Sequence, residues 1–328
     1  MLHLVRNNSP YTAILLFIFT LCTQLQSLMH PVLPVADQSQ LLYGWLIYIF
    51  HFVVGKSAFG YSFIAVLLVY VQALLLNGIV NRHRLFKQNT YLVAFAFLSL
   101  GALHPALGQF NSMSFVSLCI LFIINQLLQL KQSLNASKQL FNIGFVLMLA
   151  VLLQFSALFL VFFAFFALVI LRPFNFKEWM IMLVGLTMPL YMLLVLLFCT
   201  DKLSVMHFWP DLGISLPRKL QPELYFAGFF AGIFIWMCFS LFNMQRQLPK
   251  APIYIRRCWI AFTVLIFVSL ISAIFSDPKI NSVWMIALPG LSLMLAHAFI
   301  NERSKKMNAI SFYFALALVV FCQIFLPL

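Results

Sequence analysis

Long apolar runs constrain the fold of this chain more than any other feature of its sequence. Nine runs of 17 to 22 residues occur, at 11–28, 62–80, 91–107, 114–130, 179–200, 224–242, 258–275, 283–300 and 310–327. A helix needs about 20 mostly apolar residues to cross the hydrocarbon core of a bilayer. Backbone groups in lipid must also form their hydrogen bonds within the protein. The runs therefore predict membrane-spanning α-helices.

Charged residues are too scarce to form a water-facing surface. Only 8% of the 328 residues are charged, against about 25% in soluble domains. The net charge of +13 would suggest nucleic-acid binding in a soluble protein. Here the basic residues lie in short loops between apolar runs, where they are typical of topology signals. We predict membrane lipids as partners and no nucleic acid.

Two apolar segments, 41–54 and 140–171, have ambiguous topology. The first is short for a span, and the second is 32 residues long with Gln154 near its middle. If 41–54 is interfacial and 140–171 is a hairpin of two short spans, 15 of the 20 Lys and Arg residues are cytoplasmic. A single helix at 140–171 divides them evenly, so the positive-inside rule favours the hairpin.

The resulting fold class is an all-α polytopic membrane protein with about eleven transmembrane helices plus one interfacial helix. We predict one transmembrane domain over 1–328, in the bacterial inner membrane. The N-terminus is then cytoplasmic and the C-terminus periplasmic. The six cysteines form no CxxC pair and lie in or beside apolar runs, so they indicate small buried side chains.

The first outer loop carries one acid, Asp37. A carboxylate beside a membrane-embedded cavity would serve as a general base, and we take Asp37 as the candidate catalytic residue. A solvated loop acid is the alternative interpretation.

The second large outer loop, 201–223, carries candidate substrate-binding residues. Arg218 and Lys219 would hold a phosphate group, and Trp209 would stack on a sugar. His207 and Asp211 lie in the same loop. All five are equally compatible with an ordinary loop.

Histidines form a second group of candidates on the predicted outer half. His51 and His104 join His207 there as candidate substrate-binding residues, and His30 is also outer. Clustered histidines would bind a phosphate or a metal. None has a second histidine three or four residues away, so no protein metal site is predicted. No organic cofactor is predicted either, and a divalent metal is the one cofactor left open.

The order of these parts resembles the GT-C class of membrane glycosyltransferases. The likeness rests on the outer loop with Asp37, the segment LLYGWLIYIFHFVVG, the turn NRHRLFK, the segment LGALHPAL and the Phe- and Leu-rich hairpin. It covers about residues 11–200, with additional helices over 224–327. It implies glycosyl transfer from or onto a polyprenyl-phosphate-linked substrate on the outer face. The turn LRPFNFKEW also resembles a family of bacterial inner-membrane proteins, and that likeness implies no activity.

Three functions remain open from the sequence. The first is this GT-C-like enzyme, with Asp37 as base. The second is a non-catalytic membrane subunit or lipid-handling transporter of a cell-envelope assembly, with envelope protein subunits as partners. The third is a membrane oxygenase acting on an apolar substrate, with the outer histidines as iron ligands.

Overall fold

The computed structural model is helical throughout the residues that it describes. These residues are 10–34, 40–104, 108–130, 136–199, 223–274, 281–300 and 305–325. No strand occurs among them, so the predicted all-helical class is confirmed.

Thirteen α-helices lie in the described ranges. They are α1 (Pro10–Thr23), α2 (Leu25–Met29), α3 (Leu41–Val54), α4 (Ala58–Arg82), α5 (Leu92–Gly101), α6 (Ser112–Gln129), α7 (Ser137–Leu153), α8 (Phe159–Leu171), α9 (Phe176–Cys199), α10 (Glu223–Gln247), α11 (Ile253–Ile274), α12 (Leu288–Ala296) and α13 (Lys305–Phe325).

Five of these helices are long and apolar enough to cross a membrane: α4, α6, α9, α11 and α13. Six shorter apolar helices accompany them within the described ranges. The chain is therefore a multi-pass helical membrane protein. The number of eleven spans and the interfacial position of α3 stay predictions, because helix length alone establishes neither.

Two helices are shorter than the sequence predicts. The described part of run 91–107 contains α5, of ten residues, and the run 283–300 contains α12, of nine, with the 3-10 helices Asn281–Ile286 and His297–Phe299 on either side. Every residue of α5 is buried, and so are eight residues of α12. The two helices pack on each other inside the bundle. Because irregular backbone is tolerated at membrane depth where protein surrounds it, neither helix has to match the thickness of the bilayer.

The segment 140–171 bends at Gln154 between α7 and α8, while its prediction as a hairpin of two short spans stays a prediction. A Cβ on Gly185 would lie 3.1 Å from Phe141 Cα, so α9 touches the start of α7. A straight helix from Phe141 to Leu171 would span about 45 Å. The chain from Leu171 to Gly185 reaches only about 32 Å. The chain must therefore turn at Gln154, which is extended (φ −154°, ψ 120°) and ends α7.

Glycines allow α7 and α9 to meet backbone to backbone. A Cβ on Gly144 would clash with Met182 O and would lie 2.8 Å from Leu186 N. A Cβ on Gly185 would in turn clash with Phe141 O. This contact is closer than any side chain permits, and small residues favour such packing in membranes.

The Gly228 and Gly232 pair packs within the molecule. A Cβ on Gly228 would lie 3.4 Å from the Phe321 ring, and one on Gly232 would meet the Leu318 side chain. Both partners belong to α13. The small-residue spacing on α10 therefore serves a helix contact inside this chain.

Side-chain hydrogen bonds to backbone carbonyls join distant segments of the bundle. Gln24 donates to Gly101 (3.2 Å), Gln323 to Ala102 (2.8 Å) and Ser272 to Ser156 (2.6 Å), and all of these residues are predicted to be outer. Tyr254 donates to Leu128 (2.9 Å) and Ser311 to Ala298 (2.8 Å), and these residues are predicted to be inner. Each of these five bonds joins residues assigned to the same side, while the topology and its orientation stay predictions.

Replacing Gly144 with Ala should destabilise the protein. The added methyl group has to force α7 and α9 apart, and overpacking of this kind costs about 1–3 kcal/mol. Thermal unfolding of the purified protein in detergent measures the effect. Gly78→Ala is the matched control, because Gly78 lies in α4 with open space around its Cβ position. Equal unfolding temperatures for the two variants would contradict the close contact.

Candidate functional site

Most of the predicted site residues lie outside the described residues. They are Asp37, His207, Trp209, Asp211, Arg218 and Lys219. Their roles as base and as phosphate and sugar ligands therefore stay predictions. The structure does describe the residues on either side of the segment 35–39, which contains Asp37, and on either side of the other predicted outer loops.

His51 and His104 are both described and half-buried. His51 lies in the last turn of α3, and His104 lies three residues beyond the end of α5. Within the described ranges no group of three or more His, Cys, Asp or Glu side chains is placed to hold a metal ion. An iron site assembled from His30, His51 and His104 is therefore absent from that part of the chain.

A buried hydrogen-bond network centres on Gln154. Its Oε1 accepts from Gln40 Nε2 at 2.6 Å and from Ser112 Oγ at 2.9 Å. All three side chains are buried. Gln154 ends α7, Ser112 begins α6 and Gln40 directly precedes α3. The Gln154 amide thus joins the end of α7 to the starts of α3 and α6. It also fixes Gln40, the first described residue after the segment 35–39 that contains Asp37.

Aromatic rings hold α3 against the entry to α6. Tyr43 donates a hydrogen bond to Phe110 O at 3.1 Å. The Phe110 ring lies 5.3 Å from the rings of Phe50 and Tyr61, and 5.4 Å from that of Phe115. This cluster buries one face of α3, whereas Tyr48 and Phe52 on the opposite face are exposed. The cluster positions α3 beside the Gln154 network.

Gln24 anchors the end of α1 to the residues between α5 and α6. Its Nε2 donates to Gly101 O at 3.2 Å, and its Oε1 accepts from Ser27 Oγ at 3.1 Å. A Cβ on Gly108 would overlap the Gln24 amide, with Nε2 at 3.0 Å. Glycine at position 108 therefore leaves space for the amide.

Two buried hydroxyl groups at this end have no hydrogen-bond partner among the described residues. They belong to Tyr61, beside Phe110, and to Ser156, two residues after Gln154. A buried hydroxyl usually has a partner, so these two groups are candidates for contact with a bound molecule. Neither residue is among the predicted site residues, although each is a polar side chain beside or within an apolar run.

The predicted outer end is therefore polar but largely uncharged in the described part of the chain. Amides, hydroxyls and backbone carbonyls form it, and Lys56 is the one cation described there. Such groups bind and orient a substrate by hydrogen bonds. The described groups that can exchange a proton at neutral pH are the imidazoles of His30, His51 and His104, and the proposed base Asp37 lies outside the described ranges.

Comparison with known proteins identifies a similar fold. No family model matches the sequence, and no curated protein matches it. A similar solved structure is the crystal structure of ArnT from Cupriavidus metallidurans bound to undecaprenyl phosphate, with 14% identity and a TM-score of 0.53. The match covers 96% of this chain, and the chain spans 64% of the length of ArnT. ArnT is a GT-C glycosyltransferase, so the resemblance to the GT-C scaffold is confirmed for the fold.

Replacing Gln154 with Ala should destabilise the protein. The buried Gln40 and Ser112 side chains both lose their acceptor, and each unsatisfied group costs about 1–3 kcal/mol. Thermal unfolding in detergent is the measurement. Gln245→Ala, at an exposed position in α10, removes the same amide as a control. An unfolding temperature equal to that of the control would show that the network contributes no stability.

Proposed function

We propose that this protein is a GT-C-like glycosyltransferase that acts on a polyprenyl-phosphate-linked substrate at the outer face of the inner membrane. The observation that carries the proposal is the fold similarity to ArnT, which extends over 96% of the chain. That structure contains undecaprenyl phosphate, which is a lipid of the proposed class.

Asp37 would act as the general base in this reaction. Its carboxylate accepts the proton of an acceptor hydroxyl group, and the hydroxyl oxygen forms a bond to the anomeric carbon of the donor sugar. The bond from that carbon to the phosphate oxygen breaks, and the polyprenyl phosphate leaves. A positioned base supplies about 10²–10⁴-fold of the rate, so orientation of the two substrates has to supply much of the rest.

The loop 201–223 would bind the lipid-linked donor. Arg218 and Lys219 offset the charge that develops on the leaving phosphate, Trp209 stacks on the sugar, and His207 and Asp211 contact its hydroxyl groups. His51 and His104 border the same end of the bundle. The unpartnered hydroxyl groups of Tyr61 and Ser156 would add neutral hydrogen bonds to the substrate.

Buried hydrogen bonds next to the proposed site support it. Gln40, three residues after Asp37, is buried and bonded to Gln154. The Gln154 network also includes Ser112, at the start of α6. Rigid anchors beside a catalytic loop reduce the entropy lost when reacting groups are positioned. In this proposal, residues 1–328 form one transmembrane domain.

Asp37→Asn should abolish glycosyl transfer, because an amide cannot accept the proton. The purified protein would be incubated with a polyprenyl-phosphate-linked sugar and a hydroxyl acceptor, with and without EDTA, and the product would be measured by mass spectrometry. Asp277→Asn, another acid predicted to be outer, is the control and should retain activity. The EDTA arm decides whether a divalent metal takes part.

Turnover retained by Asp37→Asn would exclude this residue as the base. Absence of turnover in the unmodified protein, unchanged glycans in a deletion strain and co-purification with a fixed set of proteins would instead favour a non-catalytic envelope subunit.

A further inference from the structure

Cations concentrate on two turns at the predicted inner end of the bundle. Counted with the helix ends that flank them, the turn between α4 and α5 carries Arg82, Arg84 and Lys87, and the turn between α10 and α11 carries Arg246, Lys250, Arg256 and Arg257. All seven side chains are exposed. These two turns contain no acid, and the described carboxylate of Glu178 pairs with Arg172 at 3.4 Å on a different turn. The two turns therefore present a strongly positive surface.

Aromatic contacts bring the two turns together. The Phe86 ring lies 5.5 Å from the Trp259 ring and 4.8 Å from the His297 ring, and Trp259 and His297 are 4.3 Å apart. Arg84 and Lys87 are within two residues of Phe86. Arg256 and Arg257 are within three residues of Trp259. The two turns therefore meet at one packed aromatic cluster, and these four cations lie within three residues of it in the sequence.

Arg84 ends α4 in a left-handed backbone conformation, with φ +50°. Its N–H group bonds to Asn81 O, and the Leu85 N–H group bonds to Val80 O. This is the Schellman ending of a helix, in which glycine usually occupies the left-handed position. An arginine in that conformation is strained, so glycine at position 84 would suit the turn better.

The neighbouring His83 adds no charge at neutral pH. Burial lowers the pKa of this imidazole, a hydrogen bond with Asn125 opposes that effect, and the adjacent Arg82 lowers the pKa further. The positive surface is therefore made by arginine and lysine, whose charge does not change over the physiological pH range.

An exposed apolar stripe continues from the cations along α11. Ile253, Ile260, Phe267 and Ile271 are 64%, 53%, 62% and 44% exposed. Arg256 lies three residues after the first of them and four before the second, so the guanidinium group belongs to the same helical face. An acyl chain fits along this stripe while its head group meets Arg256.

We propose that Arg84, Lys87, Arg256 and Arg257 form a binding site for the head group of an anionic phospholipid, with an acyl chain along the exposed face of α11. Basic pockets between membrane helices on the cytoplasmic side bind head groups of this kind. Four cations on adjoining turns fit a lipid with two phosphates, such as cardiolipin, better than a lipid with one. The apolar stripe favours a membrane lipid over a soluble phosphate compound. The site lies at the opposite end from the proposed glycosyl-transfer site and does not depend on it.

The test is native mass spectrometry of the full chain purified in a neutral detergent and titrated with cardiolipin, phosphatidylglycerol or phosphatidylcholine. Cardiolipin should bind with the highest affinity. Arg256→Gln combined with Arg257→Gln should weaken it by about fivefold for each cation removed, since a cation near an anionic surface contributes about 1 kcal/mol. Lys138→Gln combined with Lys177→Gln removes the same charge from other exposed positions at this end and should leave the binding unchanged.

The Arg84→Gly variant distinguishes an effect on cardiolipin binding from an effect on stability. Glycine suits the left-handed position, so the unfolding temperature should match or exceed that of the unmodified protein while cardiolipin affinity falls about fivefold. If the Arg256→Gln, Arg257→Gln variant and the Lys138→Gln, Lys177→Gln variant lose the same cardiolipin affinity, the attraction is a general effect of surface charge. That result would overturn the proposal. Absence of preference for cardiolipin over phosphatidylcholine would also overturn it. Displacement of cardiolipin by micromolar inorganic pyrophosphate would assign the surface to a soluble polyphosphate instead.

Discussion

Hydrocarbon offers no hydrogen-bond partners, and the structure depends on how this chain satisfies its backbone under that constraint. Helices meet the requirement within each segment, which explains why the described residues contain no strand. The same requirement explains where helices are short or interrupted. The short helices α5 and α12 and the break at Gln154 are all buried in protein, where neighbouring groups complete the hydrogen bonds that lipid cannot.

The two ends of the bundle differ in chemistry because they have different neighbours. The predicted outer end is held by neutral amides and hydroxyls, above all Gln154 with Gln40 and Ser112. Such groups fix positions without a net charge. The predicted inner end carries exposed arginine and lysine over aromatic rings, including Trp259. Charges of that kind suit an anionic lipid surface. Function is accordingly proposed as substrate handling at one end and lipid binding at the other.

The fold similarity to ArnT shows the scaffold of this protein but not its activity. The match to ArnT extends over nearly the whole chain, beyond the residues 11–200 on which the resemblance in the sequence rests. It shows the scaffold, and a scaffold hosts more than one chemistry. Activity depends on the acid and the cations proposed for the site, namely Asp37, Arg218 and Lys219. The hydrogen bond of Gln40 to Gln154 fixes the residue at the end of the segment 35–39, and the reaction itself has to be measured.

The helical membrane class and the break in the apolar segment 140–171 follow from the sequence alone, because hydropathy acts locally along the chain. The partners of Gln154, the meeting of Gly144 with α9 and the joining of two cationic turns at Phe86 were decided only by the tertiary structure. Each of these contacts joins segments far apart in the chain. Apolar periodicity shows that a helix has a buried face, but it does not show which helix covers that face, since lipid and protein are equally apolar neighbours.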